Sequence, residues 1–167
     1  LTLLKQLTKE DGLGVILISH DLPVLARVAD RLMLIKNGGI TESSPLPLLK
    51  DQAPELSRLL ALGHNEETIK PSQMASPLLQ IKALGKTYRS PSRFFFKSSH
   101  SFDALTNISL TINKGEIVAL VGESGSGKST FMNILGCLDR PTQGEYKLDD
   151  QSVKSLNGNE LAKLRNK

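Results

Sequence analysis

The chain is patterned as strands and helices in alternation. An opening stretch with Leu1, Leu4 and Leu7 at helical spacing ends at the breaker DGLG, and residues 15–19 (VILIS) follow as an unbroken apolar run rich in β-branched side chains. Such a run predicts a parallel strand buried on both faces. Asp21 is placed to cap a helix, Pro23 suits its first turn, and Leu25, Val28, Ala29 and Leu32 fall on one face. Next, RLMLIKNGGITE alternates around the turn signal Asn37-Gly38-Gly39 and predicts a hairpin. Short helical patterns occupy 46–51 and 53–63, the second ended by Gly63.

Residues 64–77 (HNEETIKPSQMASP) are polar, contain two prolines and lack periodicity, which predicts a linker. Beyond it, LLQIKALGKTY predicts a strand, and 89–102 a loop with the aromatic triplet Phe94–Phe96, read as packing on its own domain or as an anchor for a partner. ALTNISLTINKGE alternates as a half-exposed strand closed by a turn, and EIVALVG is a second fully apolar strand. A glycine-rich loop, a helix over FMNILGCL, a short strand in GEYKLDD and a helix in the last residues complete the pattern. The expected class is α/β, with parallel core strands and a smaller antiparallel β portion.

Composition excludes the extreme classes. With 39% apolar and 23% charged residues in 167, the chain is ordinary globular material, and no apolar run approaches the roughly 18 residues of a membrane-spanning helix. A lone cysteine, Cys137, at an apolar position of the expected helix reads as a small buried thiol. The net charge of +4 is mild, and its basic tract (Lys82, Lys86, Arg89, Arg93, Lys97) reads as a solvated loop more readily than as a nucleic-acid surface. No nucleic-acid partner is expected.

The densest chemistry lies in 122–130, GESGSGKST, between an apolar strand and a helix. Gly122-x-x-x-x-Gly127-Lys128-Ser129 has the phosphate-loop spacing in the strand–loop–helix context that the chemistry needs. Gly122, Gly125 and Gly127 allow a backbone turn with its N–H groups aimed at phosphate oxygens, and the following helix adds the positive end of its dipole. Lys128 is expected on the β- and γ-phosphates of ATP, Ser129 on Mg2+, and Thr130 with the amides of Gly125 to Thr130 on the α- and β-phosphates, Gly122, Ser124 and Ser126 being counted with them as nucleotide-binding.

Together with FMNILGCLDRPTQGEYKLDD, this loop resembles the nucleotide-binding domain of ABC transporters, a P-loop NTPase fold. MNILGCLDRPTQGEY and LAKLRNK are similar to macrolide-exporter and lipoprotein-releasing ATPases, whereas Glu123 and the insert before ALTNISL are similar to oligopeptide and dipeptide ATPases. The resemblance implies that Tyr88, at the end of LGKTY, stacks on adenine; otherwise Tyr88 is a strand-end tyrosine with its hydroxyl in water. Residues 1–63 resemble the opposite end of the same domain type, 14–45 being similar to its switch-histidine segment, and His20 is then expected to contact the γ-phosphate and the attacking water.

Because tail precedes head, the chain is expected to cross the junction of a tandem ATPase: 1–63 the end of a first domain, 64–77 the linker, 78–167 the start of an incomplete second. The resemblance implies ATP-driven transport at the cytoplasmic face of a membrane, with permease and second-ATPase partners. These residues contain neither an apolar run ending in Asp-Glu nor LSGGQ, so weak nucleotide binding at best and negligible turnover are expected of them alone. The alternatives are a soluble tandem ATPase acting on nucleic acid or ribosomes, and a P-loop phosphotransferase. Family topology further implies that 15–19, 117–121 and about 31–36 assemble as one permuted sheet, bringing His20 near Lys128.

Overall fold

Residues 2–19, 21–45, 76–89 and 101–165 are described by the computed structural model. In chain order they form helix α1 (Thr2–Asp11), strand β1 (Val15–Ile18), helix α2 (Leu22–Val28), and strands β2 (Arg31–Lys36) and β3 (Gly39–Pro45). Strands β4 (Pro77–Arg89), β5 (Ser101–Asn113) and β6 (Ile117–Val121) follow, then helix α3 (Lys128–Leu135). Strands β7 (Gln143–Leu148) and β8 (Gln151–Ser152), a 3-10 turn (Val153–Ser155) and helix α4 (Gly158–Arg165) come last. The expected helices over 46–51 and 53–63, linker residues 64–75, Phe94–Phe96 and His20 lie outside the described residues. The chain divides into two compact units: Leu1–Ile35 with Ile40–Leu78 and Ile112–Gly122, and Lys36–Gly39 with Leu79–Thr111 and Glu123–Lys167.

The first unit is organised by β6, whose five residues are all buried. A buried strand needs hydrogen-bonding neighbours on both edges. Here β1 and β2 supply them, both parallel to β6, in a sheet ordered β1-β6-β2-β3. Val15 pairs with Ile117 and Leu32 with Ala119, so the expected permuted sheet forms. Helix α2 starts as expected, with Val24 N–H donating to Asp21 Oδ1 at 3.1 Å and proline in its first turn. Leu25 and Ala29 join Leu32, Ile117, Ala119 and Val121 in one apolar cluster. Leu32 was expected on the helix face but stands in β2, because α2 ends at Val28 and Ala29 turns to extended backbone.

Polar contacts fix the register at the start of β6. Ile117 N–H donates to Asp30 Oδ2 at 2.8 Å, and its carbonyl accepts from Asp30 N–H at 2.7 Å. Arg31 Nε donates to Glu116 Oε1 at 2.8 Å, while Glu116 Oε2 accepts from Asn113 N–H at 2.8 Å. Residues 30–31 are thereby clipped to 113–117 by paired, directional bonds that a shifted register would leave unmade.

The second unit holds a sheet ordered β5-β4-β7-β8, with β4–β7 and β7–β8 antiparallel and an irregularity in β4 between Lys82 and Gly85. This is the smaller antiparallel portion expected. At the ends of the loop expected over 89–102, Arg89 belongs to β4 and Ser101 and Phe102 to β5, while 90–100 lie outside the described residues. Helix α3 buries Phe131 and Ile134 fully. It also stops earlier than its apolar pattern suggests. Leu138 N–H donates to Asn133 O at 2.8 Å and Cys137 N–H to Ile134 O at 3.0 Å, a Schellman ending with Cys137 at φ 54. Cys137 is buried as expected, but it terminates the helix instead of lying within it. Burial, with Cys137 alongside, pushes the Tyr146 phenol well above its usual range, so the hydroxyl stays protonated and donates to Leu135 O at 2.8 Å.

Replacing Asp30 by alanine removes the acceptor of a buried N–H, at a cost of about 1–3 kcal/mol. Urea denaturation of Asp30→Ala is expected to show an unfolding free energy lowered by that amount, read as a lower midpoint at an unchanged slope.

Candidate functional site

The loop 122–130 leaves β6 at Gly122 and enters α3 at Lys128. It is closed by its own backbone: Ser126 N–H donates to Glu123 O at 3.2 Å, and Gly125 and Gly127 take φ of 78° and 108°. Ser126, 6% exposed, accepts from Gly38 N–H at 3.0 Å through its carbonyl, and Gly38 O accepts from Thr106 N–H at 2.8 Å. The hairpin tip thus links the loop to β5. Gly127 has no room for a side chain, since a Cβ there would stand 2.8 Å from Ala104 O and 2.9 Å from Leu105 Cδ2. At Gly125 a Cβ would meet nothing within 4 Å, so only its left-handed backbone demands glycine.

Phe131 N–H makes a helical bond to Gly127 O at 2.9 Å. Amides in the first turn ahead of it have no acceptor within α3, and the helix dipole makes that end positive. Lys128 adds a full charge: its Nζ donates to Glu123 O at 2.6 Å and lies 3.5 Å from Ser126 Oγ. An ammonium folded back over a turn of helix-end amides is an anion cradle by chemistry. Ser124 and Ser129 are exposed, and Thr130 is half-buried. Ser129 presents a hydroxyl, a hard oxygen ligand of the kind Mg2+ takes.

A second cluster in the same unit surrounds Tyr88. Strand alternation sets Lys86 and Tyr88 on one face of β4. The Lys86 ammonium lies 4.8 Å from the Tyr88 ring centroid and donates to Asp139 Oδ1 at 2.6 Å and to Arg140 O at 2.8 Å. Tyr88 Oη donates to Asp139 Oδ2 at 2.8 Å. The Tyr88 hydroxyl is thus bonded to a carboxylate that the turn after α3 delivers, on a residue that stays exposed. Burial alone would raise the pKa of Asp139, but hydrogen bonds from Lys86, Tyr88 and the Arg140 amide, with the Lys86 charge, hold it below the usual carboxylate value. Around this cluster, Thr142 Oγ1 accepts from Thr87 N–H at 3.0 Å and donates to Gly85 O at 3.1 Å, fixing the end of β4.

The second unit thus contains Tyr88, Ser124, Gly125, Ser126, Gly127, Lys128, Ser129 and Thr130, while Gly122 ends the first. His20 lies outside the described residues, between Ser19, whose Oγ accepts from Asp21 N–H at 3.0 Å, and the capping Asp21. Sequence reading missed Lys86 and Asp139 as members of the Tyr88 cluster. Lys86 was counted in a basic tract, yet it is 9% exposed and ion-paired, so its charge is not offered to a polyanion. The Lys-x-Tyr spacing on a strand was the available signal; the approach of Asp139 depends on the left-handed turn at Cys137.

Comparison with known proteins gives a consistent result. A family model described as ABC transporter matches residues 105–167. The chain is 49% identical over 92 residues to the macrolide export ATP-binding/permease protein MacB of Shewanella sp. (strain ANA-3), covering 55% of this chain and 13% of the relative. It is 58% identical over 73 residues to the MacB of Acinetobacter baylyi, covering 44% of this chain and 11% of that protein. A pyoverdine export ATP-binding/permease protein, PvdT of Pseudomonas syringae pv. tomato, is 49% identical over 92 residues, covering 55% of this chain and 13% of PvdT. The matched stretches span 11 to 13% of these relatives. Among solved structures, a dimeric post-hydrolysis state of the ATP-binding cassette MJ0796 bound to ADP and Pi aligns with TM-score 0.46 and 41% identity. It covers 52% of this chain and 34% of that one.

Two outcomes are expected. Gly125→Ala bears only the left-handed backbone cost, about 1–2 kcal/mol, whereas Gly127→Ala adds collision with Ala104, so its thermal midpoint falls further. Asp139, with its folded pKa lowered, stabilises the fold above the usual carboxylate pKa and loses that contribution as pH falls through its own value. Wild type is accordingly more stable than Asp139→Asn at neutral pH, and denaturation curves of the two converge in acid.

Proposed function

We propose, from the premise that residues 105–167 are part of an ABC transporter ATPase domain, that this chain grips the polyphosphate of ATP for an export system. The observation that carries the reading is the closed loop 122–130, with Lys128 Nζ 2.6 Å from Glu123 O and no room at Gly127 for a Cβ. Amides of Gly125 to Thr130 hold the α- and β-phosphates, and Lys128 reaches the β- and γ-phosphates. Tyr88 stacks on the base. Ser129 would hold Mg2+, which when bound offsets phosphate charge. In this reading His20 is the switch histidine of the domain that ends at residue 63, with a role toward a γ-phosphate and the attacking water.

Of the two subfamily readings, the exporter one is favoured, since the matched relatives are named as export ATP-binding/permease proteins. Residues 1–63 are then the end of one ABC ATPase domain, 64–77 a linker, and 78–167 the beginning of another. The natural partners are membrane permease elements and a second ATPase domain, at the cytoplasmic face of the membrane. Within the described residues no helix is long and apolar enough to cross a bilayer. Phosphoryl transfer depends on positioning several groups at once. Without a carboxylate after an apolar strand or a facing LSGGQ loop among these residues, the chain alone binds ATP but does not turn it over at a useful rate.

Isothermal titration with ATP and Mg2+ tests the reading. Binding is expected for the wild type and weakened at least about ten-fold, or ~1.4 kcal/mol, by Lys128→Ala. Equal affinities would discard the phosphate cradle, and rapid Mg2+-dependent hydrolysis lost in Lys128→Ala would discard the inactive-fragment reading.

A further inference from the structure

The Lys86 ammonium is accounted for on several sides: a carboxylate oxygen at 2.6 Å, a carbonyl at 2.8 Å and the Tyr88 ring at 4.8 Å. An ammonium has three donors and no acceptor, so little of this one remains for a ligand. Burying a lysine head is costly unless it is paired, and here the pairing is built around one tyrosine. Tyr88 is held at both ends, by the cation over its face and by Asp139 Oδ2 on its hydroxyl at 2.8 Å. Even so, 41% of the residue stays exposed. A large aromatic side chain that is both pinned and exposed is a platform.

We infer that Lys86 and Asp139 are positioning residues that fix the Tyr88 ring as a one-sided stacking platform for the nucleotide base. The inference rests on the proposed nucleotide reading. The cation covers one face and draws electron density toward itself, so the remaining face meets an electron-rich purine better than that of an isolated phenol. Holding the ring in advance also removes the ordering cost of binding. Lys86 and Asp139 thus act through Tyr88 on the base-dependent part of affinity, and the phosphate-dependent part belongs to the loop.

The test titrates the 167-residue chain with Mg2+ and either ATP or inorganic tripolyphosphate. Lys86→Met and Asp139→Asn are each expected to weaken ATP binding about three- to ten-fold and to leave tripolyphosphate binding unchanged, which also shows that the loop remains folded. Should Lys86→Met lose its fold, the near-isosteric Asp139→Asn makes the same comparison. ATP affinity unchanged in both variants, or both ligands weakened alike, overturns the platform while leaving the cradle in place. A wild-type chain that takes up neither ligand overturns the nucleotide reading itself, and the platform with it.

Discussion

A strand buried on all five residues cannot exist without neighbours, and in this chain that requirement fixes the first unit. The edges of β6 are closed by β1 on one side and β2 on the other, both parallel. Hydrophobic burial drives the assembly, since each fully buried Val, Leu or Ile contributes on the order of 1.5–3 kcal/mol, but burial does not choose a register. Asp30, Arg31 and Glu116 do so, by bonding backbone and side chain where β6 begins. From the other end of β6 the chain runs straight into the glycine loop.

In the second unit, two backbone reversals set the polar chemistry. The left-handed glycines of the loop fold Lys128 back over Glu123 O, and the left-handed Cys137 ends α3 so that Asp139 meets Lys86 and Tyr88. The helix between them is short and anchored by Phe131 and Ile134. The glycine loop and Tyr88 are therefore held on one scaffold, the loop by Ser126 N–H on Glu123 O and Lys128 Nζ on the same carbonyl, the tyrosine by Lys86 and Asp139.

Much of this was legible in the residues. Val15–Ile18 and Ile117–Val121 read as buried strands because nothing polar interrupts them, and Asn37-Gly38 marked its hairpin because few other pairs take that turn. The spacing from Gly122 to Ser129 marked a glycine turn between strand and helix, and Gly125 and Gly127 take the left-handed backbone there. Less was legible where geometry depends on a residue departing from its usual conformation. Cys137 is apolar and in phase with α3, so no pattern marks it as the left-handed residue ending the helix. Lys86 looked like one cation among several, since a side chain's burial is decided by the distant turn that covers it. The end of α2 misled for a related reason: Leu32 keeps helical phase with Leu25 although the chain has become strand, because both elements pack against the same cluster.

The pairing of β1 with β6 joins residues about a hundred positions apart, and contacts so distant in sequence require a large loop to close before they stabilise anything. Synthesis at ~5–20 residues per second leaves Val15–Ile18 and Arg31–Lys36 waiting several seconds on the ribosome for the strand that separates them. During that interval their unpaired apolar edges invite other strands. The parallel pairing that builds the first unit therefore makes it the later part to assemble, whereas antiparallel pieces such as β7–β8 form locally as soon as they emerge.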